Sequence, residues 1–296
     1  MVELTGTVLA NSGVASILIL MHAYQLRQRE KNATCYAWPG DLLLVGIVAN
    51  YAAVAADTFS SELGILSKSQ PRLITSLNFR KVPPGTNGGV TLYGLAAGLL
   101  GSLIIVTTTA ALVPFCSPKS PITGLRDGHG WTIKDRQRFS FAMTLWGALG
   151  SVLDSLLGGW LQQSVVDTRT GKVVEGEGGK RVLVSKAGPN SMHYKKRAEI
   201  KANLLNGEGK DAVPMKAAEA EEELDEKMGG MDKYDAKMKF RKPSFGDEKP
   251  SRMVESGASL LDNNEVNLLM ALTMSLGAMG VASWFWDVPF GSILPA

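Results

Sequence analysis

The sequence predicts an all-α, polytopic membrane protein with about five transmembrane segments and a long charged loop before the last of them. Three observations carry this. Apolar runs rich in Gly, Ala, Leu and Val recur through residues 1–165 and return in 259–296. Several approach the roughly 20 residues that a helix rising 1.5 Å per residue needs to cross the hydrocarbon core. Residues 166–258 are instead polar and charge-dense, so the chain divides into a bundle (1–165), a polar and mostly disordered insertion (166–258) and a final span that completes the bundle (259–296). The net charge of +3 comes from interspersed signs and gives no indication of a nucleic-acid partner; the bilayer is the expected one.

The first span, Leu4 to Leu26, is apolar apart from Asn11, Ser12 and His22, and ends on Arg27, Arg29 and Lys31. It lacks the basic start of a signal peptide and carries a polar Asn-Ser-Gly in its middle, so it reads as a true span with His22 at the interface. The second span, Gly40 to Ala56, runs into a cluster of acids and hydroxyls: Asp57, Thr58, Ser60, Ser61 and Glu62. An acid at a helix centre costs about 2.5–3.5 kcal/mol in the membrane, so its presence calls for a role. On one helix Glu62 projects about 140° away from Asp57, and both can bind one ion only if the helix unwinds there.

A basic loop follows, with Lys68, Arg72, Arg80 and Lys81, broken by Pro71, Pro83 and Pro84. It closes on Gly85-Thr86-Asn87-Gly88-Gly89, a turn able to adopt positive φ and expose N–H groups to an anion. No Gly-Lys-Ser/Thr follows, so it is not a Walker A loop. Beside Lys81 and at a helix N-terminus it is a candidate phosphate site, and otherwise an ordinary turn. The third span, Val90 to Pro114, carries Gly94 and Gly98 at the spacing that lets another helix approach. A loop from Cys116 to Arg138 has no recognisable motif.

The fourth span, Phe139 to Leu161, holds Asp154 on a face with Gly147, Gly150, Ser151 and Gly158. Small residues pack tightly, so Asp154 should point into the bundle. Asp154-Ser155 echoes Asp57-Thr58, an acid and a hydroxyl at the end of an apolar run. In the insertion, Lys195, Lys196 and Arg197 form a basic run and Ala217–Met228 a helical patch. The last span, Val266 to Trp286, is preceded by Asp262 or Asn263 as a helix N-cap. Asn263 and Asn267 share a face and could reach a ligand. Cys35 and Cys116 lack metal-ligand spacing; two free thiols are expected, a disulfide being the alternative.

Ala56-Asp57-Thr58, Ser61-Glu62-Leu63-Gly64, Pro71-Arg72-Leu73-Ile74-Thr75, Lys81-Val82-Pro83 and Gly85-Thr86-Asn87-Gly88-Gly89-Val90 stand in order with Gly150-Ser151, Asp154-Ser155, Gly158 and Leu261-Asp262-Asn263-Asn264. In these motifs the chain resembles the transmembrane protein 19 family over residues 10–110, 140–170 and 259–286. That family includes plant phytyl-phosphate kinases, so the resemblance implies transfer of a phosphate from a nucleoside triphosphate to a prenyl monophosphate in an endoplasmic-reticulum or other organelle membrane. Members carry further hydrophobic segments ahead of the point where this chain starts, which implies a truncated N-terminus or a smaller bundle. The charged insertion between Ser185 and Ser259 also departs from the family pattern.

On the chemistry such a kinase needs, Asp57 and Asp154 are the candidate catalytic residues, and with Glu62 the candidate ligands of Mg²⁺. Lys81 and Gly85, Thr86, Asn87, Gly88 and Gly89 would hold the phosphates of CTP or ATP. Ser61, Ser155, Asn263 and Asn267 would line the remaining polar pocket. Loops 57–89 and 162–265 should then face the nucleotide, with the sequon Asn32-Ala33-Thr34 on the other side. Two other readings stay open: a transporter or channel whose intramembrane acids bind a cation, and a structural membrane protein without chemistry.

Overall fold

A computed structural model describes residues 2–28, 35–36, 41–116, 130–167, 170–174, 176, 184 and 252–294. The sequon, the basic run at Lys195 to Arg197 and the helical patch at Ala217–Met228 lie outside the described residues. Residues 1–165, 172–182 and 254–296 form one compact unit, and 166–171 with 183–253 a second. The site belongs to the first.

Among the described residues, five helices are long and apolar enough to cross a membrane. They are α1 (Val2–Gln28), α2 (Leu42–Gly64), α3 (Leu92–Leu112), α4 (Ile133–Leu161) and α5 (Asn263–Trp286). Two short strands, β1 (Arg72–Leu73) and β2 (Gly89–Val90), pair antiparallel in the loop between α2 and α3. Strands β3 (Ser164–Asp167), β4 (Val173–Val174) and β5 (Arg252–Ser256) form a sheet in the order β4-β3-β5, and a 3₁₀ turn, Phe290–Ile293, follows α5.

Helix α2 is the central one: it packs against each of the other four. Its Val45, Val48, Ala49, Ala52, Ala53 and Ala56 are buried, whereas α3 and α5 keep rows of exposed Leu, as lipid-facing helices do. Small residues set the close approach. A Cβ on Gly150 of α4 would lie 2.5 Å from Ala53 Cβ, and one on Gly98 of α3 would lie 3.0 Å from Ala56 O. The Gly94 and Gly98 pair therefore does what its spacing suggests.

Helices successive in the chain run antiparallel, so their ends collect in two groups. At one end Gly64 of α2 meets Gly94 of α3, and the 71–89 loop reaches Gly159 of α4. At the other, Tyr36 N–H donates to Pro114 O at 2.7 Å and Trp131 N–H to Cys116 O at 2.9 Å. A disulfide joins Cys35 to Cys116 there. The expectation of two free thiols is corrected: the loop after α1 and the loop after α3 run side by side through Tyr36 and Phe115, which brings the cysteines to a Cα separation of 5.0 Å. Tyr36, Phe115, Trp131 and Phe139 stack at centroid distances of 5.0–6.0 Å. Burial, and then the charge of Asp41, hold the Tyr36 phenol well above its ordinary value.

Helix starts follow side-chain chemistry. Thr132 and Asp135 form a capping box that begins α4 at Ile133, ahead of the expected Phe139 and inside the segment read as loop to Arg138. Asp262 caps α5 with Glu265 in the same way, which settles the choice between Asp262 and Asn263.

Candidate functional site

The alanine-rich run Ala52-Ala53-Val54-Ala55-Ala56 has the highest helix propensity in α2, and the helix continues through the acidic cluster to Gly64. Thr58 Oγ1 donates to Val54 O at 2.9 Å and Ser61 Oγ to Thr58 O at 3.0 Å, so the hydroxyls satisfy themselves on the helix. Asp57 therefore stands inside a regular helix, about two turns before its end. Asp154 occupies the matching place in α4, which runs in the same direction. Gly147 and Gly150 let α4 lie directly on α2 at Ala52 and Ala53. That contact brings the two acids together, close enough for their carboxyl groups to interact. The echo between Asp57-Thr58 and Asp154-Ser155 is thus a meeting point in space.

Helix α5 completes the group. With its amide assigned so that the nitrogen faces acceptors, Asn267 donates to Asp154 Oδ1 at 3.1 Å and to Asn263 O at 3.3 Å. Asn267 is buried, and Asn263 contributes its backbone carbonyl. Two neighbouring carboxyl groups repel when both are ionised, and a shared proton or a bound cation would relieve that repulsion.

Glu62 is not part of this group. It is exposed on the continuous helix, and among the described residues no three acids, histidines or cysteines cluster. The expected trio of Mg²⁺ ligands is corrected in one respect: Glu62 does not join Asp57 and Asp154, because α2 does not unwind. Two carboxylates still fit that ion, which takes one or two carboxylates and completes its shell with phosphate oxygens and water. Ser61 is exposed and turned onto Thr58. Ser155 offers its carbonyl as the floor beneath Gly88, where a Cβ would come within 2.9 Å of it.

The glycine turn packs on the end of α4. Gly85 and Gly88 take φ of +87° and +79°, a conformation open to glycine. Three of its N–H groups already donate within the protein: Thr86 to Pro83 O at 3.2 Å, Asn87 to Ser164 Oγ at 2.9 Å and Gly89 to Thr86 O at 2.9 Å. Those of Gly85 and Gly88 are the ones an anion could use. Lys81 is exposed on the same loop, bridged through its backbone to Arg72.

Two partnerships at this end were not read from the sequence. Ser164 fixes the Asn87 N–H, and Arg80 forms a two-pronged pair with Glu255, Nη1 to Oε1 and Nη2 to the carbonyl at 2.8 Å. Neither has a local signal, since each joins residues far apart in the chain.

Comparison with known proteins places this architecture. The chain is 35% identical to Protein PGR of Arabidopsis thaliana over 169 residues, covering 56% of this chain and 54% of that protein. It is 52% identical over 62 residues to an uncharacterized membrane protein of Methanocaldococcus jannaschii, covering 21% of this chain and 25% of that one. It is 32% identical over 81 residues to the chloroplastic Protein VTE6 of Arabidopsis thaliana, covering 27% and 24%. The chain thus spans about half of the first relative and a quarter of the others. No solved structure matches it. The profile described as Integral membrane protein DUF92 matches residues 5–275, and the chain belongs to that family of integral membrane proteins.

Proposed function

We propose that this protein is a prenyl-phosphate kinase of an organelle membrane, transferring the terminal phosphoryl group of CTP or ATP to a prenyl monophosphate. The observation that carries the reading is the Asp57 and Asp154 pair, built by two helices and steadied by Asn267 from a third. An oxygen of the prenyl monophosphate attacks the γ-phosphorus, the bond from that phosphorus to the bridging oxygen breaks, and a nucleoside diphosphate leaves. Such a transfer asks the protein for position and charge neutralisation. Bound Mg²⁺ would supply the charge that offsets the phosphates. Asp57 and Asp154 would hold it, and Asn267 would keep Asp154 turned toward the pair. Lys81 and the free N–H groups of Gly85 and Gly88 would orient the triphosphate. The N-termini of α3 and α5 lie at this end and favour anions there.

The disulfide supports an orientation. Disulfides persist in oxidising compartments, so the end holding Cys35 and Cys116 would face one, and the acid pair would face the side that holds nucleotide. The chloroplastic relative favours a plastid among organelle membranes, with the endoplasmic reticulum as the other candidate.

The same pair of acids also favours a second reading, a cation or proton carrier. Purified protein in proteoliposomes separates them, given a panel of prenyl monophosphates and labelled CTP or ATP, with ion flux followed in parallel. The kinase reading expects prenyl diphosphate from the native chain, none from Asp57→Asn or Asp154→Asn, and weakened nucleotide binding in Lys81→Ala. Flux lost in both Asp variants, with nucleotide binding intact in Lys81→Ala and no diphosphate formed by the native chain, would leave the carrier.

A further inference from the structure

The loop between α2 and α3 carries features that neither the acid pair nor the glycine turn uses. From Ile65 to Thr91 it contains no acid, and besides Lys81 and the Arg80 paired with Glu255 it carries Lys68 and Arg72. Its tip is a rigid hairpin. Leu73 N–H donates to Arg80 O at 2.9 Å, Phe79 N–H to Ser76 O at 2.9 Å and Arg72 Nη1 to Phe79 O at 3.3 Å. Within this tip Leu77 is 100% exposed and Phe79 50% exposed. Phe79 also has φ of +43°, a left-handed conformation that a bulky side chain adopts only when its surroundings impose it.

An isolated exposed Leu needs no explanation. Here two large apolar side chains stand out within three residues, one is held out by a strained backbone, and cations flank them. The base of the loop continues the pattern, with Ile65 and Leu66 exposed where α2 ends and Leu92 and Tyr93 exposed where α3 begins. Both positions are termini of spans, at the level where hydrocarbon gives way to headgroups. Apolar side chains pointing into the acyl boundary with cations on the phosphates above them is the arrangement of an interfacial anchor.

We infer that the Leu73–Arg80 hairpin docks into the bilayer interface, placing Leu77 and Phe79 among the acyl chains and Lys68 and Arg72 against the phosphates of anionic lipids. The occupant is the headgroup layer of the surrounding membrane. The charge identifies it: a segment with basic side chains and no acid of its own complements an anionic surface and repels another copy of itself. The inference stands whether or not the protein is a kinase.

Spin labels placed by Leu77→Cys and Phe79→Cys test it in the full chain, since the native cysteines are joined in a disulfide. Lys172→Cys, on an exposed turn, serves as the reference. The protein is reconstituted in phosphatidylcholine alone and in phosphatidylcholine mixed with phosphatidylglycerol, and collision rates with oxygen and with a polar nickel chelate are measured. The expected result is a ratio of oxygen to nickel collisions at 77 and 79 several-fold above that at 172, rising with phosphatidylglycerol. Lys68→Ala should reduce that rise. Water-like ratios at 77 and 79, equal ratios in the two membranes, or spin broadening that tracks protein density and marks a second copy would each overturn it. Leu77→Ser, at a fully exposed position, keeps the fold and should release the label at 79 toward water.

Discussion

The two ends of this bundle are built on opposite principles. One end is closed: Cys35 and Cys116 are bonded, four aromatic rings stack beneath them, and Arg136 covers the Phe115 ring at 4.7 Å. The other end gathers groups that resist being left together, two carboxyls and a run of cations, and holds them with glycine contacts and hydrogen bonds. The closed end satisfies itself with apolar area and a covalent link. The acid end sets Asp57 beside Asp154, where a proton or a cation would ease their repulsion. With the proposed function at the acid end, substitutions at the two ends should be separable in experiment.

The largest effect on stability should come from the closed end. Replacing Cys35 and Cys116 with Ser removes a link between residues 81 apart in sequence, which costs about 2–4 kcal/mol in soluble proteins. Thermal unfolding in detergent should shift down while binding at the acid end is unchanged at temperatures below the transition. A parallel loss of binding would show that the ends are coupled. Next comes the contact between α2 and α4. Gly150→Ala sets a methyl against Ala53 and should cost about 1–3 kcal/mol by overpacking. Gly280→Ala, with nothing within 4 Å, should be neutral or slightly stabilising, and the pair of variants is compared by the same melt. Gly150→Ala should also weaken cation binding, because it pushes the helix of Asp154 off that of Asp57. The smallest effect is expected from Arg80→Gln or Glu255→Gln. This pair is partly exposed, and such pairs contribute up to about 1 kcal/mol, so a salt-sensitive shift near the limit of measurement is the outcome to look for.

Much of the closed and acid ends was legible from sequence, for different reasons. Hydropathy alone found all five spans, because a membrane-crossing helix must announce itself in composition. Span edges were less visible. Helix α2 outlasts its apolar run because Thr58 and Ser61 bond back to the helix instead of ending it, and α4 starts early because of the Thr132 and Asp135 box. Asp57 and Asp154 could each be singled out as intramembrane acids, but their contact depends on how α2 and α4 rotate against each other. That rotation is set by Gly147 and Gly150, whose spacing signals close packing without naming the partner. Glu62 was grouped with them by nearness in sequence, which a regular helix overrules. The disulfide escaped for a related reason: it depends on two loops running side by side, and cysteine spacing carries no trace of that.

The central claim is that Asp57 and Asp154 act as one cation site at the acid end. Titrating the purified chain with Mn²⁺, an Mg²⁺ substitute visible by electron paramagnetic resonance, tests it without any assumption about substrate. The account expects one bound ion per chain, with Asp57→Asn and Asp154→Asn each weakening it by about tenfold or more. The double variant should bind no worse than either single one, as for residues that work as a unit. Binding that persists in either variant, or losses that simply add, would contradict it.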